Sequence, residues 1–179
     1  MPRYLWVYIL FTCAFPVLGQ ARIGEHLNEI KQRLGKHLTY DKVRHKAIWS
    51  LGKNRSVYYV VEVDSKQISV AERLKPAPGH TLKQEYVKQF VDKQLSQLEA
   101  MAKDPSDLSM QTWPEGSVIP FGGQGFVVPR RGVGFLFPKL HVLMVADYGS
   151  NPSVSIITLN WVETEGRRGV SSPQEILDF

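Results

Sequence analysis

Three ligand-type side chains, His37, Asp41 and His45, stand four and four residues apart. On a helix that spacing brings imidazole, carboxylate and imidazole to one face, a donor set that suits a zinc-type ion. The intervening residues point elsewhere: Leu38, Thr39, Tyr40 and Val43 do not make a continuous helix, and Lys36, Lys42, Arg44 and Lys46 would oppose a bound cation. A solvated polar connector accounts for the segment without a metal, and no cofactor is expected. His26 and Glu29 also lie one helical turn apart, but no second pair accompanies them, and they read as a solvated helix face.

Nucleophilic chemistry has little to start from. The single cysteine, Cys13, lies in an N-terminal apolar run, and no serine stands in a Gly-x-Ser-x-Gly setting. A triad assembled from distant residues would leave no trace in the sequence order, so an enzyme reading stays open. Gly122-Gly123-Gln124-Gly125, followed by Arg130-Arg131-Gly132, invites comparison with a phosphate-binding loop. It lacks the Lys-Ser/Thr pair and leads into strands instead of a helix. A flexible loop fits better, with Arg130 and Arg131 able to hold an acidic partner through their guanidinium forks. Trp113, beside Pro114 in the same stretch, is expected to be either an exposed contact residue or a lid over a sheet.

The elements that must position these groups begin after residue 19. Arg3, the almost wholly apolar run Tyr4 to Leu18 and the small residues before Gln20 form a signal-peptide profile, with cleavage expected after Gly19. The run is too short to cross a bilayer comfortably, so no anchor is expected after cleavage. Cys13 is not placed as a lipid-attachment residue, since Thr12 precedes it within the run. The expected mature chain has no cysteine and carries 21 Lys/Arg against 17 Asp/Glu, a net charge of +4. An exported chain without disulfides fits a bacterial periplasm or envelope. Basic residues are spread along the chain with acidic ones between them, so no nucleic-acid partner is expected.

Ile23, Leu27, Ile30 and Leu34 form one apolar stripe ended by Gly35, predicting a first amphipathic helix. Lys46 to Leu51, Ser56 to Val63 and Gln67 to Leu74 read as strands joined by short breaks, which permit only an antiparallel meander. After Pro76-Ala77-Pro78-Gly79, Thr81 to Gln84 has capping-box form, predicting a second helix from there to about Ala102. Gly- and Pro-rich sequence from Trp113 to Gly134 reads as loop. Strands are expected at Gly132 to Phe137, Lys139 to Asp147 and Ser153 to Val162, and the chain from Thr164 reads as a mobile tail.

The predicted fold is therefore α+β, two amphipathic helices on antiparallel sheet. It spans one domain over 20–163, or two fused helix-plus-meander halves at 20–78 and 79–163.

Arg22-Ile23-Gly24-Glu25-His26-Leu27-Asn28-Glu29-Ile30, then Arg33-Leu34-Gly35, resembles the opening of small exported bacterial proteins of the outer-membrane-assembly-lipoprotein and β-lactamase-inhibitor-protein-like type. There a short helix of this pattern precedes an antiparallel sheet. The chain also resembles exported proteins of verrucomicrobial type, where a tryptophan-containing strand follows the helix and a late strand is comparable to Leu140-His141-Val142-Leu143-Met144-Val145. The resemblance implies binding or assembly and brings no catalytic residue with it. The leading expectation is an exported, non-enzymatic binding or envelope-associated protein whose partner is an acidic protein or envelope component. The alternative is a periplasmic hydrolase with a dispersed active site.

Overall fold

A computed structural model describes residues 22–167; the expected signal segment and the chain beyond 167 lie outside the described residues. Helix α1 spans Leu27–Leu34. His26 is its N-cap: its Nδ1 accepts from the Asn28 N–H at 3.1 Å, and Glu29 Oε2 accepts from the His26 N–H at 3.1 Å. The pair expected to be a solvated face is thus a reciprocal helix cap. Gly35, at φ 76°, ends the helix, and its N–H bonds the Lys31 carbonyl.

Four strands follow: β1 (Thr39–Asp41), β2 (Lys46–Leu51), β3 (Val57–Val63) and β4 (Ser69–Pro76). The predicted meander forms, with its third strand two residues later than expected and a short extra strand at its edge. Helix α2 spans Gln84–Met101. The expected cap at Thr81 does not form, and Lys83 occupies the N-cap without a side-chain bond. Leu82, 2 % exposed, plugs the core ahead of the helix, so the chain stays extended through the capping-box sequence.

Beyond α2 come β5 (Gln111–Pro114), β6 (Val118–Phe121), β7 (Gln124–Val127), β8 (Gly132–Phe137), β9 (Val142–Asp147) and β10 (Ser153–Thr158). The stretch expected to be loop between Trp113 and Gly134 therefore contains one whole hairpin and half of an edge strand. The last predicted strand ends early, because Leu159–Arg167 forms a third helix, α3. Ile157, Trp161 and Val162 then face one core at four- and five-residue spacing, which a strand would split between two faces. Thr164 to Arg167, expected to be tail, continue this helix.

Eight strands form one sheet in the order β1-β2-β3-β4-β10-β9-β8-β5, and every pairing in it is antiparallel. β6 and β7 pair only with each other. One sheet face packs on α1 and α2 through Trp49, Tyr59, Leu74, Phe90, Met144 and Ile156. Alternate residues of the same strands, among them Leu143, Val145 and Ile157, meet the β6–β7 hairpin and α3 on the other face. Each fully buried large apolar side chain contributes about 1.5–3 kcal/mol relative to exposure. Two cores on one sheet thus fix both the helical layer and the hairpin layer.

Candidate functional site

The site most able to bind a charged partner grows out of the β6–β7 hairpin. Gly122 and Gly123, at φ 61° and 74°, fill its two-residue loop, where both central residues need positive φ. The stretch compared with a phosphate loop is thus a tight hairpin turn. Ile119, Phe121 and Phe126, with Val128 just beyond β7, seat the hairpin on the second core. Gly134 on β8 makes room for it: a methyl group there would lie 2.3 Å from Ile119 Cδ1 and 3.1 Å from Val128 Cγ2.

The chain leaves this fixed hairpin through Pro129-Arg130-Arg131-Gly132. The Gly132 N–H bonds the Pro129 carbonyl at 2.9 Å, Arg131 has φ 64°, and its carbonyl accepts from Tyr148 N–H at 3.1 Å. The turn is therefore anchored at both ends, which corrects the expected flexible loop. Its nearest carboxylates are engaged by backbone: Glu115 Oε2 accepts from Arg131 N–H at 2.7 Å, and Asp147 Oδ1 accepts from Gly149 N–H at 2.7 Å. Both arginine side chains are exposed. They border an open cleft of about 710 Å³, completed by Glu115, Pro129, Asp147, Gly149 and Ser150. Ion pairs among the described residues include Arg33 with Glu25, Lys46 with Glu62 and Lys139 with Asp107, and none of these takes up Arg130 or Arg131.

Trp113 lies in β5 opposite Gly134, half buried against the second core, and its indole N–H is enclosed without a partner among the described residues. It is itself a residue of the sheet's edge strand, and it does not line the arginine cleft.

The His37, Asp41 and His45 series does not form a helical face. His37 precedes β1, with its ring stacked on Tyr40 at 5.6 Å between centroids and edge-on to Trp49 at 5.9 Å. Asp41 caps the following turn: its Oδ1 accepts from Arg44 N–H at 3.1 Å and Val43 N–H at 2.8 Å. Those two backbone bonds hold its exposed carboxyl below the ordinary range. His45 closes the turn at φ 51°. Among the described residues, no three His, Cys, Asp or Glu side chains gather where they could hold a metal ion. His37 lies before β1, Asp41 ends it and His45 lies in the turn beyond, so no continuous element carries the four-residue spacing onto one face.

His45 instead borders a pocket of about 460 Å³ with Glu62, Lys66, Trp161 and Glu165. Glu62 is 4 % exposed; its Oε2 accepts from Trp161 Nε1–H at 2.7 Å, and its Oε1 lies 3.9 Å from Lys46 Nζ. These contacts tie α3 to β3. The indole that covers Glu62 comes from 99 positions later in the chain, beyond the reach of any local sequence signal.

A second buried carboxylate escaped the sequence reading. Glu72 on β4 is fully buried on the helical face of the sheet. Its carboxylate accepts from Ser69 Oγ–H at 2.6 Å and Gln94 Nε2–H at 2.9 Å, and Gln94 Oε1 faces the Ile23 N–H at 3.5 Å. Burial carries Glu72 from the ordinary 4.5 up to about 7, against the opposing pull of its hydrogen bonds. The Tyr59 hydroxyl is buried next to this carboxylate, with its own pKa raised first by burial and then by the Glu72 charge. No hydrogen bond of good geometry satisfies that hydroxyl. A glutamate on the same strand face as Leu74 was the available signal. The network joins α2, β4 and the segment before α1 beneath the surface, so we read it as structural.

No protein-family model, curated protein or solved structure matches the chain in comparisons with known proteins.

Proposed function

We propose that this chain is an exported binding protein that holds an acidic partner at the Arg130-Arg131 turn. The observation that carries the reading is two adjacent exposed arginines on an anchored turn whose neighbouring carboxylates are already engaged by backbone N–H groups. A guanidinium that starts without a counter-ion and is held in place loses less freedom on meeting a carboxylate or phosphate. The likeness of residues 22–35 to exported assembly and inhibitor proteins speaks for binding in place of catalysis. The sheet order lends support to two fused halves, 20–78 and 79–163. β1 to β4 run inward from one edge, the strands from the second half run inward from the other, and the two sets meet at β4 and β10. Export rests on the charged start, apolar run and small residues before Gln20.

Two measurements test the reading. Mass spectrometry of protein recovered from outside the cytoplasm should show a mature chain beginning near Gln20; an intact Met1 in that fraction would refute export. Binding of a fluorescent polyaspartate peptide should weaken about tenfold in Arg130→Ser/Arg131→Ser and fall with added salt. Unfolding of the double variant should stay within about 0.5 kcal/mol of the parent. Equal binding by parent and variant would refute the role of the arginines.

A further inference from the structure

On the other side of Arg130 lies a second cleft, of about 420 Å³, lined by Gly116, Val127, Val128 and Pro129 together with Glu115 and Arg130. It shares Glu115, Pro129 and Arg130 with the arginine cleft, so a largely apolar depression and one that carries two arginines beside Glu115 and Asp147 adjoin across one wall. The apolar side continues onto the hairpin's outer surface. Val118 and Val127 pair directly across β6 and β7 and remain 55 % and 46 % exposed, an unusual condition for two facing valines.

The backbone beside them is available as well. In an antiparallel hairpin only alternate residues turn their N–H and C=O toward the partner strand. Phe121 and Gln124 close the two-residue loop, and Pro120, which has no N–H, stands opposite Gly125. That register makes Phe121/Gln124 and Ile119/Phe126 the bonded pairs. Gly125 and Val127 therefore direct their peptide groups to the outer edge of β7, where no third strand pairs among the described residues. Open edge groups, exposed valines and two arginines thus follow one another along the chain from Gly125 to Arg131.

We infer that the partner at this site is an extended peptide segment that alternates apolar and acidic side chains and adds as a strand along the outer edge of β7. Its backbone pairs with Gly125 and Val127, an apolar side chain enters the Val127–Pro129 cleft, and a carboxylate reaches Arg130 and Arg131. Strand addition draws affinity from main-chain bonds and specificity from side-chain pockets, which are the components present here. The two exposed guanidinium groups select an acidic side chain, and the valines select an apolar neighbour to it. This rests on the arginine-turn reading above and specifies its partner.

Three labelled hexapeptides separate the possibilities by fluorescence anisotropy: (Asp-Val)3, (Asp-Ser)3 and an (Asp-Val)3 carrying N-methyl groups on alternate peptide nitrogens. (Asp-Val)3 should bind at least tenfold more tightly than either of the others. Val127→Ser, at a half-exposed position that tolerates change, should remove its advantage over (Asp-Ser)3, while Arg130→Ser/Arg131→Ser weakens both. Equal, arginine-dependent binding of all three peptides would overturn the strand-addition inference and leave the acidic-partner reading standing. Absence of arginine dependence would overturn both. Arginine-dependent binding to phosphatidylglycerol vesicles without binding of any peptide would replace the peptide partner with an anionic membrane surface.

Discussion

Replacing Glu72 by glutamine should raise stability at neutral pH and flatten its pH dependence. In the unfolded chain Glu72 releases its proton near 4.5, and in the fold near 7. Between those values the folded protein holds a proton that the unfolded chain has lost, so rising pH favours unfolding. The contribution is fully present below about pH 4.5, declines toward pH 7 and is gone above it. The difference corresponds to about 3 kcal/mol, and the group is fully buried, so solvent does not screen it. The groups around it are Tyr59 from β3, Ser69 from β4, Gln94 from α2, and Glu25, which is ion-paired with Arg33 of α1. Among these, Glu25 opposes ionisation, while the hydrogen-bonding Ser69 and Gln94 and the nearby Tyr59 hydroxyl assist it, which leaves burial dominant. Glutamine keeps the shape of the neutral acid, accepts from Gln94 through its oxygen and donates to the Ser69 hydroxyl through its amide. Urea unfolding of both proteins at half-unit steps from pH 4.5 to 8 measures the effect. The curves should diverge by about 3 kcal/mol toward pH 8, with the parent falling. Parallel curves across that range would refute the assignment of Glu72 as a carboxyl that folds protonated.

Three further outcomes follow from packing. Gly134→Ala should cost about 1–3 kcal/mol, since its methyl group meets Ile119 and Val128 under the hairpin; thermal unfolding checks it, and an unchanged midpoint would mean the hairpin is not seated as described. Trp161→Phe should cost about 1–3 kcal/mol by removing a donor to the buried Glu62 carboxylate, read by urea unfolding, with a null effect refuting that bond. Tyr59→Phe should leave stability within about 0.5 kcal/mol or raise it, because the hydroxyl it removes is unsatisfied; a loss of about 2 kcal/mol would reveal a hydrogen bond there.

What the sequence made legible was periodicity. The four-three-four stripe from Ile23 to Leu34 and the Val- and Tyr-rich runs of β2 and β3 state their period within a few residues, and local steric preference then decides the element. The misreadings occurred where a long-range contact outweighed local chemistry. Thr81 has the composition of a cap, but burying Leu82 keeps the chain extended there. Trp161 and Val162 continue a β-like run, yet their helical turn places both against the hairpin. Gly122-Gly123 was read as looseness, although two positive φ angles beside α3 make it one of the more constrained turns: a methyl group on Gly122 would lie 2.7 Å from Val162 Cγ1. The arginine pair was visible as residues. Its anchoring was not, because Glu115, Gly134 and Tyr148 are brought to it only by the sheet.

The seam between β4 and β10 has a consequence for the order of events as the chain is made. Val154 pairs with Leu74, 80 positions earlier, and β4 has no other neighbour on that side. Until synthesis passes residue 158, a meander emerging from the ribosome presents β4 as an open edge bearing Ala71 and Leu74, two of the most enclosed side chains of the finished molecule. Such an edge recruits other chains as readily as its own late strand. A chain built in this way gains from being kept extended until its last strand is available. The export proposed above, with carriage across a membrane before folding, would provide that delay.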